Sequence, residues 1–181
     1  MTTIVGYEDK ETGLVYIGGD SALSADEFTF NMKGHKVFKI GEMLIGCAGS
    51  ARASQLIEHH LELPIIIGSM TDKQFMVQVF VDTLCQLNKT FGANYEKQTV
   101  NYTLGEMLVG YRGKLYAVFS DYQVADFADG FAAIGSGSQV AIGVLAALSG
   151  TDQPKNILKK ALKIASRYNV YTRPPFVIRG I

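Results

Sequence analysis

The residue of this 181-residue chain with the clearest chemical potential is Thr2, which directly follows Met1. Methionine aminopeptidases remove an initiator methionine when the next side chain is small, so the mature chain is expected to begin at Thr2. An N-terminal threonine carries a hydroxyl nucleophile and an α-amine, whose ordinary pKa of about 7.7–8.0 lets it act as a general base. Many chains begin with Met-Thr without using the threonine, so other residues must show whether a nucleophile is needed.

The histidines and cysteines do not form a recognisable metal site. His59 and His60 are adjacent, and adjacent side chains on a helix point about 100° apart. No carboxylate or thiol spacing connects them with His35. Cys47 and Cys85 lie far apart, which indicates reduced thiols rather than a disulfide framework. The sequence therefore predicts no metal site and a cytoplasmic location.

Two other reaction classes find little support in the motifs. Residues 135–138 read Gly-Ser-Gly-Ser between a predicted strand and a predicted helix, as in a dinucleotide-binding loop. Val140 stands where that loop needs glycine or alanine, and the acidic residue about 20 positions further on is missing. A Ser-His-Asp triad remains open, but the sequence has no G-x-S-x-G elbow to support it.

The composition restricts the class of partner. The chain has 17 Lys plus Arg and 17 Asp plus Glu, which argues against a nucleic-acid or anionic membrane surface. No apolar run approaches the roughly 18–20 residues that span a bilayer, and the N-terminus lacks the pattern of a signal peptide. A hydrophobic content of 48% is typical of a globular protein, so we expect a single domain over residues 1–181.

The elements nearest to Thr2 are predicted to form a β-hairpin. Residues 3–8 and 14–19 are β-prone, and residues 9–13 (Asp-Lys-Glu-Thr-Gly) have the composition of a turn. This hairpin would tie Thr2 to a sheet and prevent the terminus from fraying.

Further along the chain, strands and helices are predicted in alternating blocks. After a looser stretch that contains Phe28 and Phe30, strands are predicted at 36–40, 43–47, 103–111, 114–120, 122–127 and 131–134, with closing strands at 169–172 and 174–178. Helices are predicted from the run 48–51 to Pro64, at 72–91, at 139–148 and from Pro154 onward, and a loop is predicted at 92–101. The helical spacing places His60 and Tyr168 on the inward faces of their helices. This order predicts an α+β fold with two sheets stacked between two helix layers.

Several short segments, in order along the chain, resemble the proteasome β-type subunits and, within them, the HslV-type peptidases. The segments are residues 2–5 (T-T-I-V), 17–20 (I-G-G-D), 31–37 (N-M-K-G-H-K-V), 44–49 (L-I-G-C-A-G), 133–137 (A-I-G-S-G) and 170–172 (V-Y-T). The resemblance runs over nearly the full length. It implies an N-terminal nucleophile hydrolase with a four-layer αββα sandwich and the activity of a threonine peptidase.

The same resemblance implies roles for three residues. Thr2 corresponds to the family's nucleophile, Asp20 to its acidic residue and Lys36 to its lysine, at the family's interval from Asp20. A Lys36 ammonium near Thr2 would favour the neutral α-amine and stabilise negative charge on the hydroxyl oxygen. Asp20 would orient Lys36 and balance its charge.

Four further residues receive roles by resemblance. The small pair Ala48 and Gly49 would let a backbone N–H reach the tetrahedral oxyanion, and Ser136 would lie near the Thr2 amine. Cys47 and Ala48 would belong to the substrate pocket, although a buried core thiol is an equal alternative for Cys47.

The resemblance also implies partners. Substrates would be peptides or unfolded proteins, the assembly would be stacked homo-oligomeric rings, with a dodecamer as the first expectation, and an AAA+ ATPase unfoldase would be the natural partner. No cofactor is required, and a monovalent cation can bind near the C-terminal strand in HslV-type relatives.

The chain departs from the family pattern at two places. Arg167 and Tyr168 stand where the family has an acidic residue, and Arg52 and Ala53 replace another after the glycine-rich run. The first change leaves open how the N-terminal amine is held. The alternative is therefore a proteasome-like shell subunit that assembles without cleaving, and retention of Met1 would favour it.

Overall fold

The computed structural model describes residues 1–25, 28–64, 69–92 and 104–181. The strands are Thr3–Asp9 (β1), Leu14–Gly19 (β2), Ala22–Ala25 (β3), Phe28–Asn31 (β4), Val37–Ile40 (β5), Met43–Ala48 (β6), Glu106–Tyr111 (β7), Lys114–Val118 (β8), Val124–Asp126 (β9), Phe131–Gly135 (β10) and Val177–Gly180 (β11). The helices are Ala51–His60 (α1), Asp72–Gln74 (α2), Val81–Gly92 (α3), Ser138–Leu148 (α4) and Pro154–Tyr168 (α5), with a π-helical segment, Phe75–Phe80, between α2 and α3. None of the helices in these ranges is long and apolar enough to cross a membrane.

One antiparallel sheet contains the N-terminal strand at an interior position. Its strand order is β10-β1-β2-β11. The first residues of β1 are paired on both sides, because Thr3 lies opposite Gly135 and Ile4 lies opposite both Ile134 and Gly19. The predicted hairpin is thus confirmed, and double pairing holds the start of the chain more firmly than an edge position would.

The second sheet and the helices complete four layers. Strands β5 to β9 form this sheet in chain order, and α1 and α3 cover one of its faces through residues such as Ile57 and Leu84. Its other face packs on the first sheet through residues such as Ile17 and Leu108. Helices α4 and α5 cover the outer face of the first sheet, where Leu158 is fully buried. The result is the α+β, four-layer αββα sandwich that the sequence predicts.

Residues 22–31 form a hairpin where the sequence predicts only a looser stretch. Strands β3 and β4 pair with each other in a two-stranded sheet, and all four side chains of β4 are exposed. The rings of Phe28 and Phe30 stack on one face with their centroids 6.4 Å apart. Since no side chain of β4 is buried, the alternation of buried and exposed residues that usually reveals a strand is missing there.

The segment after α5 also differs from the prediction. Residues 169–172 form a turn instead of a strand, and the Asn169 N–H donates to the Ala165 carbonyl at the end of α5. Tyr168 is 76% exposed because it is the last residue of α5, and His60, at the end of α1, is exposed and rests against Phe91. Both were predicted to face inward. The loop predicted at 92–101 lies outside the described residues from position 93 onward.

Candidate active site

Thr2 is held just before β1 by a tight turn at the end of β10. Its carbonyl oxygen accepts hydrogen bonds from the Ser136 N–H at 2.8 Å and from Ser136 Oγ at 3.3 Å. Gly135 makes this approach feasible, since it has a φ of +84° and a Cβ there would lie 2.1 Å from the Thr2 oxygen. Thr2 is 7% exposed, so its backbone is fixed by the fold.

Asp20 and Lys36 form a buried ion pair next to Thr2. Asp20 follows β2, Lys36 precedes β5, and Lys36 Nζ lies 3.1 Å from each carboxylate oxygen. The Asp20 oxygens also accept hydrogen bonds from the Thr3 N–H at 2.8 Å and from the Ala22 N–H at 2.9 Å. These four contacts orient the carboxylate, whose side chain is fully buried.

The Lys36 ammonium also reaches the peptide group that precedes Thr2. Lys36 Nζ donates to the Met1 carbonyl oxygen at 3.3 Å, and the carbon of that carbonyl is bonded to the Thr2 nitrogen. Burial lowers the pKa of Lys36, while the attraction of Asp20 opposes this shift. A cation is thus placed beside the nitrogen that becomes an α-amine if Met1 is removed.

Gly49 lies at the turn between β6 and α1, where two backbones come close together. Gly49 has a φ of +109°, and a Cβ there would lie 3.1 Å from the Cα of Gly105. Gly105 has a φ of +78°, and a Cβ there would lie 2.3 Å from the Ala48 carbonyl oxygen. Ser50 then caps α1 by accepting a hydrogen bond from the Ala53 N–H. The sequence predicts a strand over 103–111 and gives Gly105 no role, although an isolated glycine in a strand can mark close backbone approach.

A pocket of about 180 Å³ brings four of the predicted site residues together. Thr2, Lys36, Cys47 and Gly49 all line it. Ala48 does not line this pocket, because its side chain packs between the two sheets. Cys47 is 5% exposed, and burial raises the pKa of its thiol to about 12, so the thiol stays protonated.

A second cluster, on the Ser136 side of Thr2, was not identified from the sequence. Asn169 Nδ2 donates to the Ser136 carbonyl at 2.8 Å, and Asn169 Oδ1 accepts from Ser136 Oγ at 3.4 Å and from Thr172 Oγ1 at 3.2 Å. Thr172 Oγ1 lies 2.6 Å from Thr3 Oγ1, which accepts from the Gly137 N–H at 3.1 Å. We call these five residues the neutral cluster. The sequence analysis places Ser136 near Thr2, whereas the other four residues are of types ordinary for strands and turns, and only their contacts reveal them.

Arg167 does not join the neutral cluster. Its side chain is exposed and lines a surface groove together with Tyr168 and Val170. Among the described residues, no acidic side chain takes part in the neutral cluster, and no group of three or more His, Cys, Asp or Glu side chains could hold a metal ion.

Comparisons with known proteins agree with this architecture. A sequence model described as "Proteasome subunit" matches residues 2–178. The structure of Thiobacillus denitrificans BPH in complex with epoxomicin is similar with a TM-score of 0.76 and 16% identity, over 99% of this chain and 98% of that chain. The structure of eukaryotic HslV from Trypanosoma brucei is similar with a TM-score of 0.68 and 20% identity, over 99% of this chain and 98% of that chain. At these identities the structural matches establish the fold, and they confirm the predicted fold class.

Proposed function

Because the chain belongs to the proteasome subunit family, we propose that it is a threonine-type peptidase subunit whose nucleophile is Thr2 after removal of Met1. One observation carries this proposal. The buried Lys36 ammonium, held by both oxygens of Asp20, lies within 3.3 Å of the carbonyl that acylates the Thr2 nitrogen. Removal of Met1 would therefore leave a hydroxyl, an amine and a fixed cation at one point of the pocket.

The first step forms a tetrahedral intermediate. The Thr2 Oγ attacks the carbonyl carbon of the scissile peptide bond and passes its proton to the Thr2 α-amine. Lys36 stabilises the negative charge that develops on Oγ and favours the neutral amine before the attack. The Gly49 N–H is the proposed donor to the oxyanion, a contribution of about 3–4 kcal/mol in comparable sites.

The remaining steps form the acyl-enzyme and then regenerate the free enzyme. The protonated amine gives its proton to the leaving nitrogen as the C–N bond breaks, and an ester on Thr2 remains. Water then attacks the ester carbonyl, the amine takes the proton, and the carboxylic acid product leaves as Oγ is reprotonated. Ser136 fixes the Thr2 carbonyl and thereby the position of both reacting groups.

Met1 decides whether this chemistry can occur. In the unprocessed chain the Thr2 nitrogen is part of an amide, which has no basic lone pair to accept a proton. A chain that keeps Met1 therefore has the nucleophile without its base.

A non-cleaving shell subunit is the second candidate function. The observation that favours it is the lack of an acidic side chain in the neutral cluster, with Arg167 exposed at the position where the family resemblance expects a carboxylate. In that case the fold would serve assembly alone.

The assembly and its setting remain proposals drawn from the family. We propose stacked homo-oligomeric rings, with a dodecamer as the first expectation, acting on peptides or unfolded proteins in the cytoplasm. An AAA+ unfoldase is the proposed partner, no cofactor is required, and a monovalent cation is an optional ligand. Residues 1–181 are proposed to act as one domain.

Intact-mass analysis with and without epoxomicin tests the function. The choice of probe follows the epoxomicin complex of the similar Thiobacillus denitrificans protein. An epoxyketone reacts with both the hydroxyl and the amine of an N-terminal threonine, so it reports processing and nucleophilicity together. We expect a chain without Met1 that gains one inhibitor mass, and a Thr2→Ala chain that gains none. A processed wild-type chain that neither gains the adduct nor cleaves peptides would establish the shell reading.

A further inference from the structure

One face of α1 forms a wall of the pocket beside Thr2. Ala51, Ser54, Gln55, Glu58 and His59 all line the pocket. Their spacings of three and four positions place them on one side of the helix. The opposite side of α1 packs into the core against the second sheet, so the helix is held in place and its pocket-facing side chains keep their positions.

The charges around this pocket do not cancel. Lys36 is the only lysine or arginine among the described lining residues, and Asp20 compensates it at 3.1 Å. Within the part of the chain that the structure describes, Glu58 is the only acidic side chain that lines the pocket. Its ion-pair contact among the described residues is with His59, whose Nε2 lies 3.9 Å from the carboxylate. With Met1 removed, and with the Thr2 amine, His35 and His59 counted as neutral, the charged side chains at the pocket leave an excess of one negative charge.

Glu58 lines the pocket together with the buried thiol of Cys47. Ser54, one helical turn before Glu58, also lines it. Burial is the main cause of the raised pKa of Cys47, and the negative charge of Glu58 adds to it. The inner wall is thus uncharged and polar, with a carboxylate close by.

We propose that this pocket binds a positively charged side chain, lysine or arginine, and that Glu58 selects it. The inference rests on the proposed function, because it assigns the pocket to the residue that supplies the scissile carbonyl. A bound cation would pair with a carboxylate whose one ion-pair contact with a described residue is the 3.9 Å approach of His59. An acidic side chain would be repelled, and an apolar one would desolvate Glu58 without compensation.

Fluorogenic peptides that differ only in the residue before the leaving group test this selection. The series contains arginine, norleucine or glutamate before aminomethylcoumarin, and wild-type kcat/KM is expected to follow that order. Because Glu58 is partly exposed, Glu58→Gln should lower kcat/KM for the arginine peptide by about fivefold, and it should raise kcat/KM for the norleucine peptide, which no longer desolvates a charge. Glu58→Lys should reverse the preference between arginine and glutamate. Glu62→Gln, which removes an exposed carboxylate outside the pocket, is the matched control.

Binding to the Thr2→Ala protein separates this inference from the proposed function. The same three sequences are made as labelled peptides that cannot be cleaved, and their affinities are measured by fluorescence anisotropy. We expect the affinity to fall from the arginine to the norleucine to the glutamate peptide, and Glu58→Gln should remove this order. If the ranking holds in binding while wild-type protein cleaves none of the peptides, the peptidase proposal fails and the cation subsite stands. If wild-type protein cleaves the norleucine peptide as well as the arginine peptide, or Glu58→Gln changes nothing, the subsite proposal is overturned and the peptidase proposal stands.

Discussion

Thr2 is held from two sides by clusters that differ in charge. On one side Asp20 and Lys36 form a buried ion pair with no exposed carboxylate surface. On the other side Ser136, Asn169 and their partners form a cluster of neutral hydrogen-bonding groups. Both sides reach the backbone of residues 1–3, yet they do so with different chemistry.

The difference separates chemistry from positioning. A buried ion pair contributes little net stability, because the loss of hydration offsets most of the attraction between the charges. Neutral hydrogen bonds could have oriented the start of β1 equally well, as Ser136 does for the Thr2 carbonyl. We therefore interpret the charged side as the one that adjusts the reactivity of Thr2 and the neutral side as the one that fixes its geometry.

Removal of the charge on one partner should have the largest effect. Lys36→Met leaves the Asp20 carboxylate buried without its cation, so we expect the free energy of unfolding to fall by about 3–5 kcal/mol and epoxomicin reactivity to disappear. Urea denaturation and intact mass measure the two effects. The control is the double variant Asp20→Asn with Lys36→Met, which should recover part of the stability and none of the reactivity. Full recovery of reactivity would show that the ion pair has no chemical role.

A substitution in the turn that holds Thr2 should have the next largest effect. Gly135→Ala introduces a Cβ 2.1 Å from the Thr2 oxygen at a φ of +84°, so we expect unfolding to become easier by about 2–3 kcal/mol. Gly143→Ala in α4 is the matched control, because nothing lies within 4 Å of its Cβ position and alanine favours helix. Urea denaturation should give a lower free energy of unfolding for Gly135→Ala and a higher one for Gly143→Ala than for the wild-type protein. Equal effects would mean that the turn at Gly135 is not tightly constrained.

Disruption of the neutral cluster should have a smaller effect on stability. Asn169→Ala removes hydrogen bonds to Ser136 and Thr172, and we expect a loss of about 1–2 kcal/mol. Asn156→Ala, which removes a surface hydrogen bond to Asp152, serves as the control and should cost less. Asn169→Asp would place a negative charge beside Ser136, which holds the Thr2 carbonyl, and we expect it to raise the pKa of the Thr2 amine and move the acidic limb of the kcat/KM profile to higher pH. An unchanged limb in that variant would contradict the proximity of Asn169 to the base.

The smallest expected effect is a shift along the pH axis. Burial lowers the pKa of Lys36 below 10.5, so the alkaline limb of the activity profile should begin below pH 10.5 as the ammonium is lost. The folded state holds this proton less tightly than the unfolded chain does. Lys36 by itself therefore makes stability rise with pH between its lowered pKa in the folded state and its ordinary pKa of 10.5. Lys36→Arg keeps its charge and should move the alkaline limb upward. If the alkaline limb stays at the same pH in the Lys36→Arg variant, it reflects the titration of another group.

Much of the fold was predictable from the sequence because its elements bury one regular face. The stripe Ile157, Leu158, Ala161, Leu162 and Ala165 predicts α5, and all five residues are buried. The hairpin of β1 and β2 follows from two apolar strands around a turn-forming segment. The β3–β4 hairpin and the turn after α5 escaped prediction, because exposed strands and hydrogen-bonded turns leave no hydrophobic period.

The site divides in the same way. By itself the sequence determined that a threonine lies behind Met1, that strands surround it, and that Asp20 and Lys36 are the charged residues which the family resemblance pairs with it. Only the tertiary structure decided that Asn169, 33 positions away along the chain, supports Ser136, and that Glu58 lines the same pocket as Thr2. Such contacts depend on how the layers stack and on which turns come together. Residue types that are common in turns and on helix surfaces give no local signal of these long-range contacts.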